Sequence, residues 1–258
     1  MAARIDPLES VEVEQGPFAT RITLNRPDQQ NAIDPTLLAE LDAALAATAA
    51  DPDCRLVVLA ARGPVFCSGM DVAAARVRPD ESGGRVFLDL LNRIADHPKV
   101  TVAAVDGKVL GGGVGIVAAT DFVLATPGSS FALPEMLWGL LPCCVLPFVI
   151  RRCGGPFART MTLSTLPVDA AQAWQRGLVD QVVAEPEVPL RSLGYRLSKV
   201  DPRTVRDGKR FLRELSGPDG ATEEFVLAEF GRLMASDVVV ERMGGFAAGG
   251  RAPWEGAA

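Results

Sequence analysis

Histidine is nearly missing from this chain of 258 residues, which carries one, His97. A histidine-rich metal centre is thereby excluded, and any Ser-His-Asp triad would have to use that residue. It lies in Ala95-Asp96-His97-Pro98, a helix end ahead of a proline, which predicts a terminal or solvent-facing role. Cysteine is present but unorganised. Cys54, Cys67, Cys143, Cys144 and Cys153 are odd in number and contain no C-x-x-C pair, so neither a zinc site nor a disulfide framework is indicated. The net charge is -6 and no stretch concentrates Lys and Arg, which argues against a nucleic-acid partner. No apolar run is long enough to span a bilayer, and Met1 to Gly16 places acidic residues where a signal peptide would have its apolar core. A cytoplasmic location is expected. Two phosphate-binding fingerprints are also lacking: there is no G-x-G-x-x-G after a strand, and no Gly-Lys-Ser/Thr.

What is present is a glycine triplet, Gly111-Gly112-Gly113, between the apolar β-branched run Val100–Val105 and a small-residue apolar segment, Val114 to Thr120. The first reads as a buried strand and the second as a buried helix. Glycines at such a junction let a ligand approach the backbone and leave amide N–H groups open at the helix start. That arrangement suits an anion, or an oxygen on which negative charge develops. A tight turn that only permits close helix–strand packing is the plainer alternative, and the stretch alone leaves both open.

The rest of the chain alternates. Val11–Glu14 and Ala19–Leu24 predict a hairpin across Gly16-Pro17, and Asp34-Pro35 starts a helix carrying Leu37, Leu38, Leu41 and Leu45 to Ala50. Leu56–Ala60 is a strand, followed by a loop from Arg62 to Asp71. A polar, mobile segment is expected from Arg76 to Gly84, and then a helix marked by Phe87, Leu88, Leu91 and Ile94. Beyond the glycines come the strand Phe122–Ala125, a loop from Ser129 to Glu135, three short helices between Leu146 and Arg176, and a strand from Leu178 to Val183. Helices then follow at Ser192–Lys199, Pro202–Leu215, Glu223–Met234 (capped by Thr222) and Val238–Met243. This is an α/β core with a helical C-terminal appendage.

Two loops at the ends of adjacent strands can each offer an N–H to one carbonyl oxygen, and a carboxylate in an apolar loop can serve as acid or base. The ordered set Phe66-Cys-Ser-Gly-Met-Asp71, Val105-Asp-Gly…Gly-Gly-Gly113, Phe131-Ala-Leu-Pro-Glu135 and Gly177-Leu-Val-Asp180 supplies these pieces. With Asn25-Arg-Pro27…Asn31-Ala32, it resembles the crotonase, or enoyl-CoA hydratase/isomerase, superfamily over nearly the whole chain. The resemblance implies a crotonase-like ββα superhelix core over residues 1–187 and a C-terminal helical trimerisation region over 188–258. It also implies a homotrimer or a dimer of trimers. It implies an oxyanion hole from the N–H groups of Met70 and Gly112, with Glu135 as catalytic acid or base. The second glutamate of the family's hydratases falls on Gly115.

The segment from Leu133 to Arg152, with Cys67–Asp71, looks like the crotonase-type dehydratases of bacterial polyketide β-branching cassettes. The implied reaction removes water from a 3-hydroxy-3-methylglutaryl-type thioester on an acyl carrier protein, giving the 3-methylglutaconyl thioester and needing no cofactor. An enoyl-CoA hydratase/isomerase and a methylglutaconyl-thioester decarboxylase of the same fold are the alternatives. Decarboxylases of these cassettes use a lysine that would fall in Ala73–Arg78 and a histidine near Ala235, and neither is present. A non-catalytic carrier-binding protein is a further alternative, though such a scaffold has no chemical need for Glu135. On this resemblance Asp71, Arg78, Gly111, Trp138 and Leu140 line the substrate pocket, with Arg78 balancing a distal carboxylate. Arg26, Lys209, Arg210 and Arg213 are candidates for the phosphates of pantetheine or coenzyme A. Each candidate also has a plainer reading: Met70 as core filling, Asp71 as a loop-stabilising side chain, Trp138 as packing, the cations as solvated charge, and Cys143-Cys144 as inert thiols.

Overall fold

The computed structural model describes residues 8–17, 19–72, 81–216, 220–249 and 252. The chain winds as a ββα superhelix: β1 (Val11–Gln15), β2 (Thr20–Leu24), α1 (Pro35–Ala50), β3 (Leu56–Ala61), β4 (Val65–Cys67) and α2 (Glu81–Ala95) are followed by β5 (Val100–Val105), β6 (Lys108–Leu110), α3 (Gly112–Ala119), β7 (Phe122–Ala125) and β8 (Ser130–Ala132). A 3-10 turn at Glu135–Trp138 leads into α4 (Leu146–Cys153), α5 (Gly155–Ser164), β9 (Val168–Asp169), α6 (Ala170–Gln175) and β10 (Gln181–Val182). The C-terminal helices are α7 (Glu187–Leu197), α8 (Pro202–Ser216), α9 (Gly220–Met234) and α10 (Asp237–Ala247).

After the β1/β2 hairpin, which joins the large sheet alone, the strands divide between two sheets. The larger has the order β1-β2-β3-β5-β7-β10, parallel apart from the β1/β2 hairpin. The smaller has the order β4-β6-β8-β9, with β4, β6 and β8 parallel. At the corner between β5 and β6, Gly107 has φ +94°, and a Cβ there would lie 2.1 Å from the Pro64 carbonyl oxygen. Neighbouring corners therefore touch through main chain, and only glycine fits.

The two faces of the large sheet bury separate cores, as the two-residue strand period requires. Val57, Leu59, Ala103, Val105 and Val123 point into the main core with α1, α2 and α3, while Leu56, Val58, Val102 and Leu124 pack under Leu190 and Leu197 of α7. Helix α1 begins as expected, the Asp34 carboxylate accepting the Leu37 N–H at 2.7 Å with Pro35 next in line.

Several expectations need correction. The segments read as loops at 65–67 and 130–132 are strands, and a further strand, β6, precedes the glycines. The strand expected from Leu178 reduces to Gln181–Val182, because Asp180 turns its carboxylate onto the Val123 N–H and Arg152. Thr222 lies inside α9 rather than capping it, α7 starts ahead of Ser192, and α10 continues through Gly244-Gly245. Part of the segment expected to be mobile, Glu81–Gly84, is the first turn of α2; its earlier part, with Arg78, lies outside the described residues.

His97 is buried rather than solvent-facing. Its Nδ1 accepts the Lys99 N–H at 3.2 Å, so its protonated Nε2 faces the Leu45 carbonyl and the Thr48 hydroxyl, both at 3.1 Å. Desolvation lowers its pKa from 6.5 to about 4, so it ties α1 to the end of α2 as a neutral ring.

Candidate active site

Three adjacent parallel strands of the small sheet each release one piece of the site at their carboxyl ends. After β4 comes Ser68-Gly69-Met70, after β6 comes Gly111-Gly112, and after β8 come Leu133, Pro134 and Glu135. Strand register thus sets how the three meet, aided by the Gly111 N–H, which donates to the Ala132 carbonyl at 3.0 Å.

The first loop is held like a strand. Ile33 donates its N–H to Gly69 and accepts the Asp71 N–H on its carbonyl, at 2.8 and 2.9 Å. Successive peptide groups of an extended chain point opposite ways, so the Met70 N–H is turned away from Ile33 and makes no hydrogen bond among the described residues. The Gly112 N–H opens α3 and likewise has no partner among the described residues, first-turn amides having none within their own helix. The two loops are in contact: Gly69 has φ +87°, and a Cβ on it would lie 3.1 Å from the Leu110 carbonyl oxygen and 3.4 Å from the Gly112 nitrogen. Two preorganised amides therefore stand side by side, one of them at the positive end of a buried helix, an arrangement that stabilises a developing oxyanion.

Glu135 faces them. A Cβ on Gly111, which has φ +52°, would lie 3.2 Å from its Oε1, while Oε2 is enclosed and has no hydrogen-bond partner among the described residues. Burial raises this carboxyl from 4.5 to about 7, so near neutrality it both accepts and returns a proton. The charge of Glu135 is felt by the Cys143 thiol. That thiol is pushed up to about 11, and Cys67 and Cys144 to about 12, so these sulfurs remain protonated.

No second carboxylate enters from α3. Gly115 is buried, and a Cβ there would meet Val145 at 3.0 Å and Leu91 at 3.2 Å. Ile33 and Phe87 close the wall over Gly112, whose Cβ would meet them at 2.8 and 3.2 Å. Neither carries a sequence signal as a pocket residue, since each reads only as part of a loop or helix pattern. Asp71 is half-buried beside the loop, and Leu140 is buried with its N–H on the Glu135 carbonyl at 3.0 Å. Trp138 is half-buried, its ring edge-on to Phe246 at 5.3 Å.

The basic candidates do not gather here within one chain. Arg26 is half-buried, paired with Asp34 at 2.8 Å, and donates to the Ala32 carbonyl. Lys209 bonds the Lys99 carbonyl and Asp121, and Arg213 pairs with Asp96, at the amino end of β5 and so opposite the glycine turn. Arg210 is exposed beside Asp207. Among the described residues no group of three or more His, Cys, Asp or Glu is placed to hold a metal ion.

Comparison with known proteins agrees with this architecture. The chain belongs to the enoyl-CoA hydratase/isomerase family, whose profile matches residues 18–214. It is a carbon–oxygen lyase of the dehydratase type. Among its relatives is the bacillaene synthase dehydratase PksH of Bacillus subtilis, 38% identical over 199 residues, covering 75% of this chain and 76% of that protein. The crystal structure of a polyketide biosynthesis enoyl-CoA hydratase (pksH) from Bacillus subtilis superposes with a TM-score of 0.87 at 31% identity, covering 95% and 99% of the two chains. The enoyl-CoA hydratase AKT6-1 of Alternaria alternata is 29% identical over 241 residues, covering 86% of this chain and 81% of its own.

Proposed function

We propose that this protein removes water from a 3-hydroxy-3-methylglutaryl-type thioester on an acyl carrier protein, giving the 3-methylglutaconyl thioester in polyketide β-branching. One observation carries the reading: among the described residues the Glu135 carboxyl, with one oxygen enclosed, faces two amides that make no hydrogen bond, and the position that would hold a second carboxylate is filled by apolar packing. The thioester oxygen lies between the Met70 and Gly112 N–H groups, and the Glu135 carboxylate takes the α-proton. Charge then rests on the enolate oxygen, and the two amides stabilise it more than the neutral ground state. As the enolate collapses, the β-carbon–oxygen bond breaks and protonated Glu135 hands its proton to the departing hydroxyl, so water leaves and the carboxylate is restored. Proton removal and hydroxyl departure occur on one face.

An oligomer is part of this reading. Phe211, Leu212 and Leu215 of α8 and Phe225 of α9 are exposed, an apolar surface that a second copy would cover. The compartment we infer is the cytoplasm; among the described residues no helix is long and apolar enough to cross a membrane.

The test is mass spectrometry of 3-hydroxy-3-methylglutaryl loaded on a carrier protein and, in parallel, on coenzyme A. Loss of one water from the carrier-bound acyl group, abolished in Glu135→Gln, is the expected result. Additional loss of carbon dioxide, no loss at all, or reaction of the coenzyme A form alone would overturn the proposal.

A further inference from the structure

Helix α10 lies against the 3-10 turn that begins with Glu135, and it does so with one face. Val238 and Val239 approach Gly139, where a Cβ would lie 3.1 and 3.4 Å from their side chains. Arg242 donates from Nη1 to the Leu137 carbonyl at 3.0 Å, and Phe246 meets the Trp138 ring edge-on at 5.3 Å, 83° between planes. Positions 239, 242 and 246 are spaced three and four apart, which stacks them on one side of a helix.

The turn needs such a partner. Gly139 ends it in the left-handed region, φ +84°, and its N–H returns to the Glu135 and Met136 carbonyls. The Leu137 carbonyl points outward at the negative end of the turn, where a guanidinium is the favoured donor. The indole, one residue on, is fixed by the aromatic contact. Both ends of the segment carrying Glu135 are thus tied, one to β8 and one to α10.

Resting on the dehydratase reading, we propose that Arg242 and Phe246 are positioning residues, holding the turn so that the Glu135 carboxyl stays seated against Gly111 opposite the two amides. They act through the turn and touch no reacting atom. Among the described residues, charged and titratable groups bear on this arrangement from the turn's own chain, from α9 and from α10. Cys143 lies beside Glu135, Glu229 and Arg232 of α9 reach that thiol and pair with each other, and Arg242 is held on the Leu137 carbonyl. Freed of its clamp, the turn would let water reach the carboxyl, lowering its pKa toward the ordinary 4.5.

The experiment compares wild type, Arg242→Ala, Arg242→Lys and Phe246→Ala as full-length proteins. In Arg242→Ala, kcat is expected to fall roughly ten- to a hundredfold with KM within about twofold, as misplacement of a base requires. The acid limb of the kcat/KM profile should move below its wild-type position near 7. Arg242→Lys, which keeps a cationic donor, should recover most of the loss, and Phe246→Ala should behave like a milder Arg242→Ala. Unchanged kcat and pH profile in Arg242→Ala, or a loss confined to KM, would overturn the proposal. A second readout needs no substrate: the pH dependence of the melting-temperature difference between each protein and its Glu135→Gln derivative reports the Glu135 pKa. If wild type fails to dehydrate the acyl carrier, the function falls, but a lowered Glu135 pKa in Arg242→Ala by the thermal readout still supports the clamp.

Discussion

Replacing Glu135 with Gln is expected to stabilise the protein at alkaline pH while abolishing turnover, and both effects come from one carboxyl group. Burial holds the folded-state pKa at about 7, against 4.5 for an ordinary glutamate. Between these values the folded chain keeps a proton that the unfolded chain has released. Stability is therefore complete below pH 4.5 and falls as pH rises through 7. At about 1.36 kcal/mol per pH unit between the two pKa values, the penalty reaches about 3 kcal/mol well above neutrality. Gln cannot ionise and escapes it. In a chain of this size 1 kcal/mol moves Tm by about 2–4 °C, so the variant should melt about 6–12 °C above wild type near pH ~8.5. The two should nearly coincide near pH ~4.5, where both side chains are neutral. Differential scanning calorimetry at matched ionic strength, from pH ~4.5 to ~9, measures this directly. A Tm difference that stays constant over that range would refute the reasoning, since the carboxyl would then be as well solvated folded as unfolded.

Met70→Ala should keep kcat within about threefold, because the donor is main chain, whereas replacing the Gly112 amide by a backbone ester should lose about a hundred- to a thousandfold; the ester removes the N–H and adds no Cβ to meet Ile33 and Phe87. Steady-state kinetics on both, with circular dichroism to verify folding, decides the matter, and equal losses would contradict it. Gly115→Glu should fail to create a hydratase and should cost on the order of 3 kcal/mol or more, since its side chain would enter the Val145–Leu91 contact unpaired; a stable variant that hydrates enoyl thioesters would show the wall to be soft. His97 is held neutral with a pKa of about 4, below 6.5 in the unfolded chain, so stability should be lost as pH falls from 6.5 toward 4, by about 3 kcal/mol in total. Urea titrations of wild type and His97→Gln across that window test this, and parallel pH dependences would argue against it.

The large sheet was legible because its strands carry runs such as Leu56–Ala61 and Val100–Val105, buried along their length and flanked by turn residues. The small sheet was not. Its strands are two or three residues long, too short for any period to register, and they hold together only through pairing with distant segments. Yet these strands deliver Met70, Gly112 and Glu135, so the site residues came from ordered motifs and family resemblance while the frame that aligns them stayed hidden. Burial of His97 depended on α1 arriving over it, and the ion pairs of Lys209 and Arg213 on Asp121 and Asp96, more than eighty residues away in sequence; no local pattern encodes such meetings. Helix α10 was seen as far as its glycines, which propensity marks as a stop. Its packing against the turn at Glu135–Trp138 carries it past them.

The contact between the Gly69 loop and the glycine turn has a consequence for how such a protein changes over time. Because main chain meets main chain there, the spacing of the two amides is indifferent to nearly every side-chain replacement elsewhere in the pocket. Walls built from Ile33, Phe87 or Val145 can be exchanged one at a time, altering which acyl group fits or whether a further carboxylate is admitted, while the polarising pair keeps its geometry. Inheritance can thus explore new reactions without passing through an inert intermediate. The glycines themselves are the positions where that freedom ends.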